Sequence, residues 1–173
     1  WRVKKHGRDN RFNQMKTQFL WFLMTWTLGG LWVLGTFAAG LAAMTSATDK
    51  PLGFLGYIGI ILWVFGMIIE VVADHQKTQF RAVKDNANRF ITSGLWAWSR
   101  HPNYFGEIIL WLGISFLALP VLSGWQLATM ISPLFVYILL TKVSGVGLLE
   151  QRGLSKWGKD PAYQAYIEST PVL

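Results

Sequence analysis

Ser93-Gly94-Leu95-Trp96-Ala97-Trp98-Ser99-Arg100-His101-Pro102-Asn103-Tyr104-Phe105-Gly106-Glu107 leads from a turn through charged and amide side chains straight into an apolar run that continues to Leu122. Such a run reads as a membrane-spanning helix whose polar groups are gathered at one lipid boundary.

Working outward, Phe19–Met44, Leu52–Ala73 and Trp125–Leu140 are apolar as well. As helices, these runs and Tyr104–Leu122 each cover, or nearly cover, a hydrocarbon core of about 30 Å. The expected fold class is therefore all-α: a polytopic transmembrane helix bundle with about four spanning helices. Composition agrees. Of 173 residues 52% are apolar and 14% charged, with ten Trp and eleven Phe, and the mean hydropathy is +0.32, too apolar for an ordinary soluble domain.

The connections alternate in character. Residues 45–51 and 120–124 are short, the first with one charge of each sign and the second with none, and read as tight turns. The opposite side carries fifteen of the sixteen Lys and Arg, all but Lys50. By the positive-inside rule that side, with both termini, is cytoplasmic. Basic loops beside anionic lipid account for the net charge of +7 without a nucleic-acid partner.

Several chemistries are excluded. With no cysteine there is no disulfide, thiolate catalysis or Cys-based metal site. His6, His75 and His101 lack the HExxH spacing, so no metal is expected. No GxGxxG follows a strand-like segment and no GxxxxGK[ST] occurs. Gly29, Gly30, Gly35 and Gly40, and Gly53, Gly56 and Gly59, read as places of close helix packing. The first eighteen residues are polar and the first apolar run is too long for a signal peptide. The chain opens at Trp1 and reads as a piece of something longer.

Along the second apolar run and beyond it, Glu70, Asp74, Lys77 and Arg81 recur at helical spacing, which puts them on one face if the helix continues past the membrane surface. This stripe is either a ladder of salt bridges or the wall of a cavity. Glu70 lies among apolar neighbours and must face protein, water or a ligand rather than lipid. Ser93 is a candidate cap for a short interfacial helix carrying Trp96 and Trp98. Pro102 suits a first helical turn, so that free backbone N–H groups and Arg100 there offer an anion site. Asn103 and Glu107 share a face, with Gly106 leaving room beside them; they suit amide and amine or hydroxyl partners, or simply bind each other. The C-terminal arm supplies Glu150, Arg152, Lys156, Trp157, Tyr163 and Tyr166; these are either an amphipathic exit from the last helix with interfacial anchors, or further groups of the site.

The run Leu95–Glu107, preceded by Glu70-Val71-Val72-Ala73-Asp74 and followed by Trp157-Gly158 and Pro161-Ala162-Tyr163, resembles the uncharacterised bacterial membrane proteins grouped with steroid 5-alpha-reductases. Sterol C14 and C7 reductases and isoprenylcysteine carboxyl methyltransferases are more distant relatives. The resemblance covers essentially the whole chain and implies the C-terminal part of a roughly seven-helix protein in a bacterial inner membrane. It implies NADPH as cofactor and a hydrophobic, steroid-like enone as substrate, reduced by hydride transfer to the beta carbon, as in a 3-oxo-5-alpha-steroid 4-dehydrogenase.

Carried over by motif, Glu70, Asp74, Arg81, Arg100, His101, Asn103, Tyr104, Glu107 and Tyr163 are expected cofactor contacts. Glu70 stands where steroid reductases can have Asn. Arg81, with Lys77 or with Arg8 and Arg11, is expected to receive a phosphate or the 2′-phosphate that distinguishes NADPH from NADH. The substrate-side catalytic groups are expected N-terminal to this chain, leaving Tyr104 and Glu107 as fallback catalytic candidates. One membrane domain, 1–173, then divides into a basic arm (1–18), two helices (19–73), a cytosolic cofactor loop (74–103), two helices (104–141) and a C-terminal arm (142–173). Methyl transfer from S-adenosylmethionine to a lipid or isoprenylcysteine-type acceptor is the first alternative. A non-enzymatic scaffold or transporter is the second, although a transporter needs polar groups near the bilayer midplane. Oligomeric state is left open.

Overall fold

The computed structural model describes residue 15 and residues 17–173; Arg8 and Arg11, with the rest of the basic arm to Gln14, lie outside the described residues. Among the described residues the α-helices are, in order, α1 Phe19–Met44, α2 Phe54–Ala82, α3 Pro102–Ala118, α4 Ser132–Ile138, α5 Val146–Trp157 and α6 Pro161–Ser169. Among the described residues there is no strand. Four helical segments are long and apolar enough to cross a membrane: Phe19–Met44, Phe54–Ala82, Pro102–Val121 and Gly124–Trp157. The all-α bundle expected from the apolar runs is the observed fold.

The chain divides into two compact units between Gly35 and Thr36. In the first, α1 presents Leu20, Trp26 and Val33 outward, an apolar surface suited to lipid. The second unit holds the end of α1 and all later elements.

Its centre is the crossing of α2 and α3. Glycines make that seam: α2 buries Gly59 and Gly66, and α3 buries Gly106 and Gly113. A Cβ at Gly66 would sit 2.5 Å from the Gly106 carbonyl oxygen, and one at Gly113 would sit 2.7 Å from the Gly59 carbonyl oxygen. In lipid no hydrophobic force drives helices together, so backbones brought into contact by glycine maximise dispersion. Gly29, Gly30 and Gly53 do not share this role; a Cβ at any of them meets open space.

Outside the seam, α2 exposes Phe54, Ile61, Phe65, Ile68 and Val71, inverting the soluble pattern as a lipid-facing helix does. The two short turns fall at one end of the bundle, where the Ser46 hydroxyl donates to the Val121 carbonyl at 2.6 Å. Ala39 and Ala42 pack there on Ala118 and Leu122.

Two expectations about the helices are corrected. Residues 74–82, read as loop, continue α2, so the connecting segment begins at Val83. The last span is not one α-helix: a 3₁₀ segment (Gly124–Ile131), α4 and a π segment (Leu139–Val143) precede a break at Ser144-Gly145. Helix α5 begins just beyond it, at Val146.

Candidate functional site

The extension of α2 beyond its apolar part carries Lys77 and Arg81 to the basic end of the bundle. There the chain turns through Lys84–Asn86 and a second 3₁₀ turn, Gly94–Ala97. Gly94 has φ 63°, a left-handed conformation that glycine adopts without strain, and its Leu95 neighbour donates N–H to the Gln76 side chain at 3.0 Å. Trp96 is buried and donates its indole N–H to the Ala73 carbonyl at 3.0 Å, with Lys77 over its ring at 4.6 Å. Of Trp96 and Trp98, the latter is the exposed one, at 82%. Ser93 makes no cap bond.

Helix α3 starts at Pro102 with His101 as N-cap, as the sequence suggests, but its N-terminus is not a free anion site. The Arg100 and His101 N–H groups donate to the Pro171 and Val172 carbonyls at 2.9 and 3.2 Å. The Ser99 hydroxyl also donates to Val172. The C-terminal tail therefore straps the start of the motif. Arg100 is itself engaged: its Nη1 pairs with Glu150 Oε2, while Glu150 Oε1 lies 2.8 Å from His101 Nε2.

Around this pair lies a cavity of about 350 Å³, within the range of small-molecule sites. Lys77, Arg81, Arg89 and Lys156 give it cationic walls; Phe90, Trp157, Tyr163 and Tyr166 give it aromatic ones; Arg100, His101 and Glu150 complete it. The loop and the C-terminal arm are locked together over it. Trp157 donates to the Asn88 carbonyl at 2.6 Å and Lys156 to the Ala87 carbonyl at 3.1 Å. The Phe90 ring meets those of Trp157, Tyr163 and Tyr166 at centroid distances of 5.8, 5.0 and 5.7 Å. Tyr166 donates its hydroxyl to the Trp96 carbonyl at 2.7 Å.

Burial holds the His101 imidazole below its ordinary pKa, against the opposing hydrogen bond and charge of Glu150; Lys77 and Arg100 push it further down. At neutral pH the contact is a neutral imidazole donating to a carboxylate, which fixes the proton on Nε2. Burial raises the hydroxyl of Tyr166 to about 12 and also raises that of Tyr163, with Glu150 adding to the latter. Both are neutral donors at physiological pH.

The expected site residues thus separate into two groups. Arg81, Arg100, His101 and Tyr163 line the cavity. Glu70, Asp74, Asn103, Tyr104 and Glu107 do not; the Glu70 backbone adjoins Gly106 at the α2–α3 seam, and its carboxylate feels those of Glu107 and Asp74. Tyr104 joins the groups, its ring stacked on His101 at 5.5 Å and 13°. Glu70, Asp74, Lys77 and Arg81 form no ion-pair ladder among the described residues, where both ion pairs involve Glu150. Asn103 and Glu107 do not bind each other, and Asn103 Oδ1 is buried without a partner, as is Arg100 Nε. A buried unpaired polar atom costs about 1–3 kcal/mol, so both mark places where a ligand atom would be welcome.

Glu150, Arg89, Phe90 and Tyr166 also line the cavity; the sequence left Glu150 and Tyr166 open between a structural and a site role and gave no signal for Arg89 and Phe90. A carboxylate in the apolar exit of the last span was the available signal for Glu150. No group of three or more His, Cys, Asp or Glu side chains among the described residues is arranged to hold a metal ion.

Proteins named 3-oxo-5-alpha-steroid 4-dehydrogenase 1 are among the relatives of this chain. The mouse protein is 30% identical over 77 residues, 44% of this chain and 28% of its own length. The bovine protein is 33% identical over 70 residues, 40% of this chain and 27% of its own, and the human protein 30% over 84 residues, 49% and 30%. The chain thus matches less than a third of the length of these relatives. No solved structure matches it. A family model described as a protein of unknown function, DUF1295, matches residues 1–170, and the chain belongs to that family, a group similar to the steroid 5-alpha-reductases.

Proposed function

We propose that this chain forms the nucleotide-binding part of a membrane reductase that uses NADPH to reduce the activated C=C bond of a hydrophobic, steroid-like or other lipid enone. The observation that carries the reading is the convergence of Lys77 and Arg81 from α2 with Arg100 and His101 of the motif in one aromatic-walled cavity at the basic end. An oxygen-rich anion with flat rings fits cationic forks and aromatic walls. The names of the steroid dehydrogenase relatives agree with a reductase.

In this reading Arg81, with Lys77, holds the 2′-phosphate; Arg100, His101 and Tyr163 hold the remainder of the diphosphate end. The buried Oδ1 of Asn103 accepts from a carboxamide N–H, and Glu107 and Asp74 take hydroxyl or amide protons near Glu70 and Tyr104. NADPH supplies the hydride; the protein supplies alignment and excludes water. The basic end is the cytoplasmic face, 83–101 is the loop that closes on the cofactor, and Tyr104 and Glu107 are the candidates in this chain for handling a proton.

The reaction is tested with full-length protein, a model enone lipid and NADPH deuterated at the transferable C4 position, in H2O. The expected product has gained one deuterium at the beta carbon, which accepts the hydride, and one solvent proton at the alpha carbon. A product with no deuterium, or transfer of a methyl group when S-adenosylmethionine is supplied instead, contradicts the reading. The methyltransferase alternative has one observation in its favour: the carboxylates of Glu70, Asp74 and Glu107 would suit an ammonium or sulfonium.

A further inference from the structure

We propose that Glu150 is a positioning residue of the cavity, clamping Arg100 with one carboxylate oxygen and His101 with the other so that both motif side chains stand preset for an anionic ligand. The inference rests on the nucleotide reading of the site. A carboxylate in a pocket for an anion is unfavourable by charge alone, and its geometry explains its presence. Oε2 takes the Arg100 Nη1 and Oε1 takes the His101 Nε2 at 2.8 Å. The partners come from a different part of the chain, fifty and forty-nine residues away, and Glu150 stands in the first half of α5, beyond the break at Gly145.

The two held side chains are adjacent in sequence, and their backbone N–H groups are already fixed by the C-terminal tail. Glu150 therefore fixes what the backbone leaves free: the guanidinium plane of Arg100 and the ring plane and tautomer of His101. With the proton on Nε2, His101 keeps Nδ1 as an acceptor. The ring stacked on Tyr104 passes the same constraint into the seam. Single-point attachment through Nη1 leaves the rest of the Arg100 fork unspent, its Nε buried and unpaired. A guanidinium held this way has lost its rotamer freedom before the ligand arrives, which is the advantage of a prearranged site.

Two readouts on Glu150→Gln and Glu150→Asp in full-length protein separate the proposal from the nucleotide reading. The first needs no ligand: His101 is titrated by NMR against Lys77, Arg100, Tyr104, Tyr163 and Tyr166, the other titratable or charged groups near the pair. Removing the carboxylate charge takes away what opposes burial, so His101 titrates at lower pH in Glu150→Gln and near the wild-type position in Glu150→Asp. The second is NADPH affinity, expected to fall about 10- to 100-fold in Glu150→Gln, the scale on which loss of an orienting partner is felt, with partial rescue in Glu150→Asp. Unchanged His101 titration, or unchanged or tighter NADPH binding in Glu150→Gln, overturns the clamp. If wild-type protein binds no NADPH while His101 shifts as described, the nucleotide reading fails and takes the ligand part of the proposal with it.

Discussion

Gly106→Leu is expected to separate α2 from α3 and lower stability by about 3 kcal/mol or more, the upper end of overpacking. Already a Cβ at this position would lie 2.7 Å from the Glu70 backbone nitrogen and the Gly66 carbonyl oxygen. The obstruction is backbone on both counts, so no rotamer change relieves it, and an isobutyl group must push the helices apart. Because Glu70 and Glu107 flank the contact, these candidate site residues move with it. The check is the denaturation midpoint in detergent, followed by helical circular dichroism, beside Gly30→Ala. At Gly30 an added methyl meets open space, so no loss is expected there. Equal midpoints for Gly106→Leu and wild type would refute the seam.

Arg81→Ala is expected to weaken NADPH about 10- to 100-fold while leaving NADH nearly unchanged. The magnitude follows from losing charge-assisted hydrogen bonds of about 1.5–3 kcal/mol, and the selectivity from the 2′-phosphate, which only NADPH carries. Arg81 lies on the cavity wall in the last turn of α2 and is exposed, so its removal leaves the fold intact. Equal weakening of both nucleotides would take that role from Arg81 and give it to Lys77, Arg89 or Lys156, the other cations of the wall.

The four spans were legible because apolar length is nearly sufficient to specify a lipid-crossing helix. The start of α3 was legible because proline at the first position is a strong local signal. The seam was half legible: glycine clusters pointed to close packing, but only pairs seven residues apart on facing helices, Gly59 with Gly66 and Gly106 with Gly113, make it, and the conspicuous Gly29-Gly30 pair does not. The break at Gly145 was hidden because Leu139 to Leu149 stays mostly apolar whether or not the helix is continuous. Of the cavity lining, Arg81, Arg100, His101 and Tyr163 were legible as candidates because motif positions carry them. The contacts of Glu150 were not legible, because its partners lie fifty and forty-nine residues away and no spacing rule reports them. Trp96 and Trp98 show the limit of composition: two residues apart, one is buried under Lys77 and the other stands in the open.

The account stands on the cavity at the basic end being a nucleotide site, and calorimetric titration of the detergent-purified full-length protein with NADPH, NADH and S-adenosylmethionine tests this most directly. Saturable binding of NADPH, tighter than NADH and with S-adenosylmethionine silent, is the predicted result. Binding of S-adenosylmethionine in preference to NADPH, or no binding of any of the three, would contradict it.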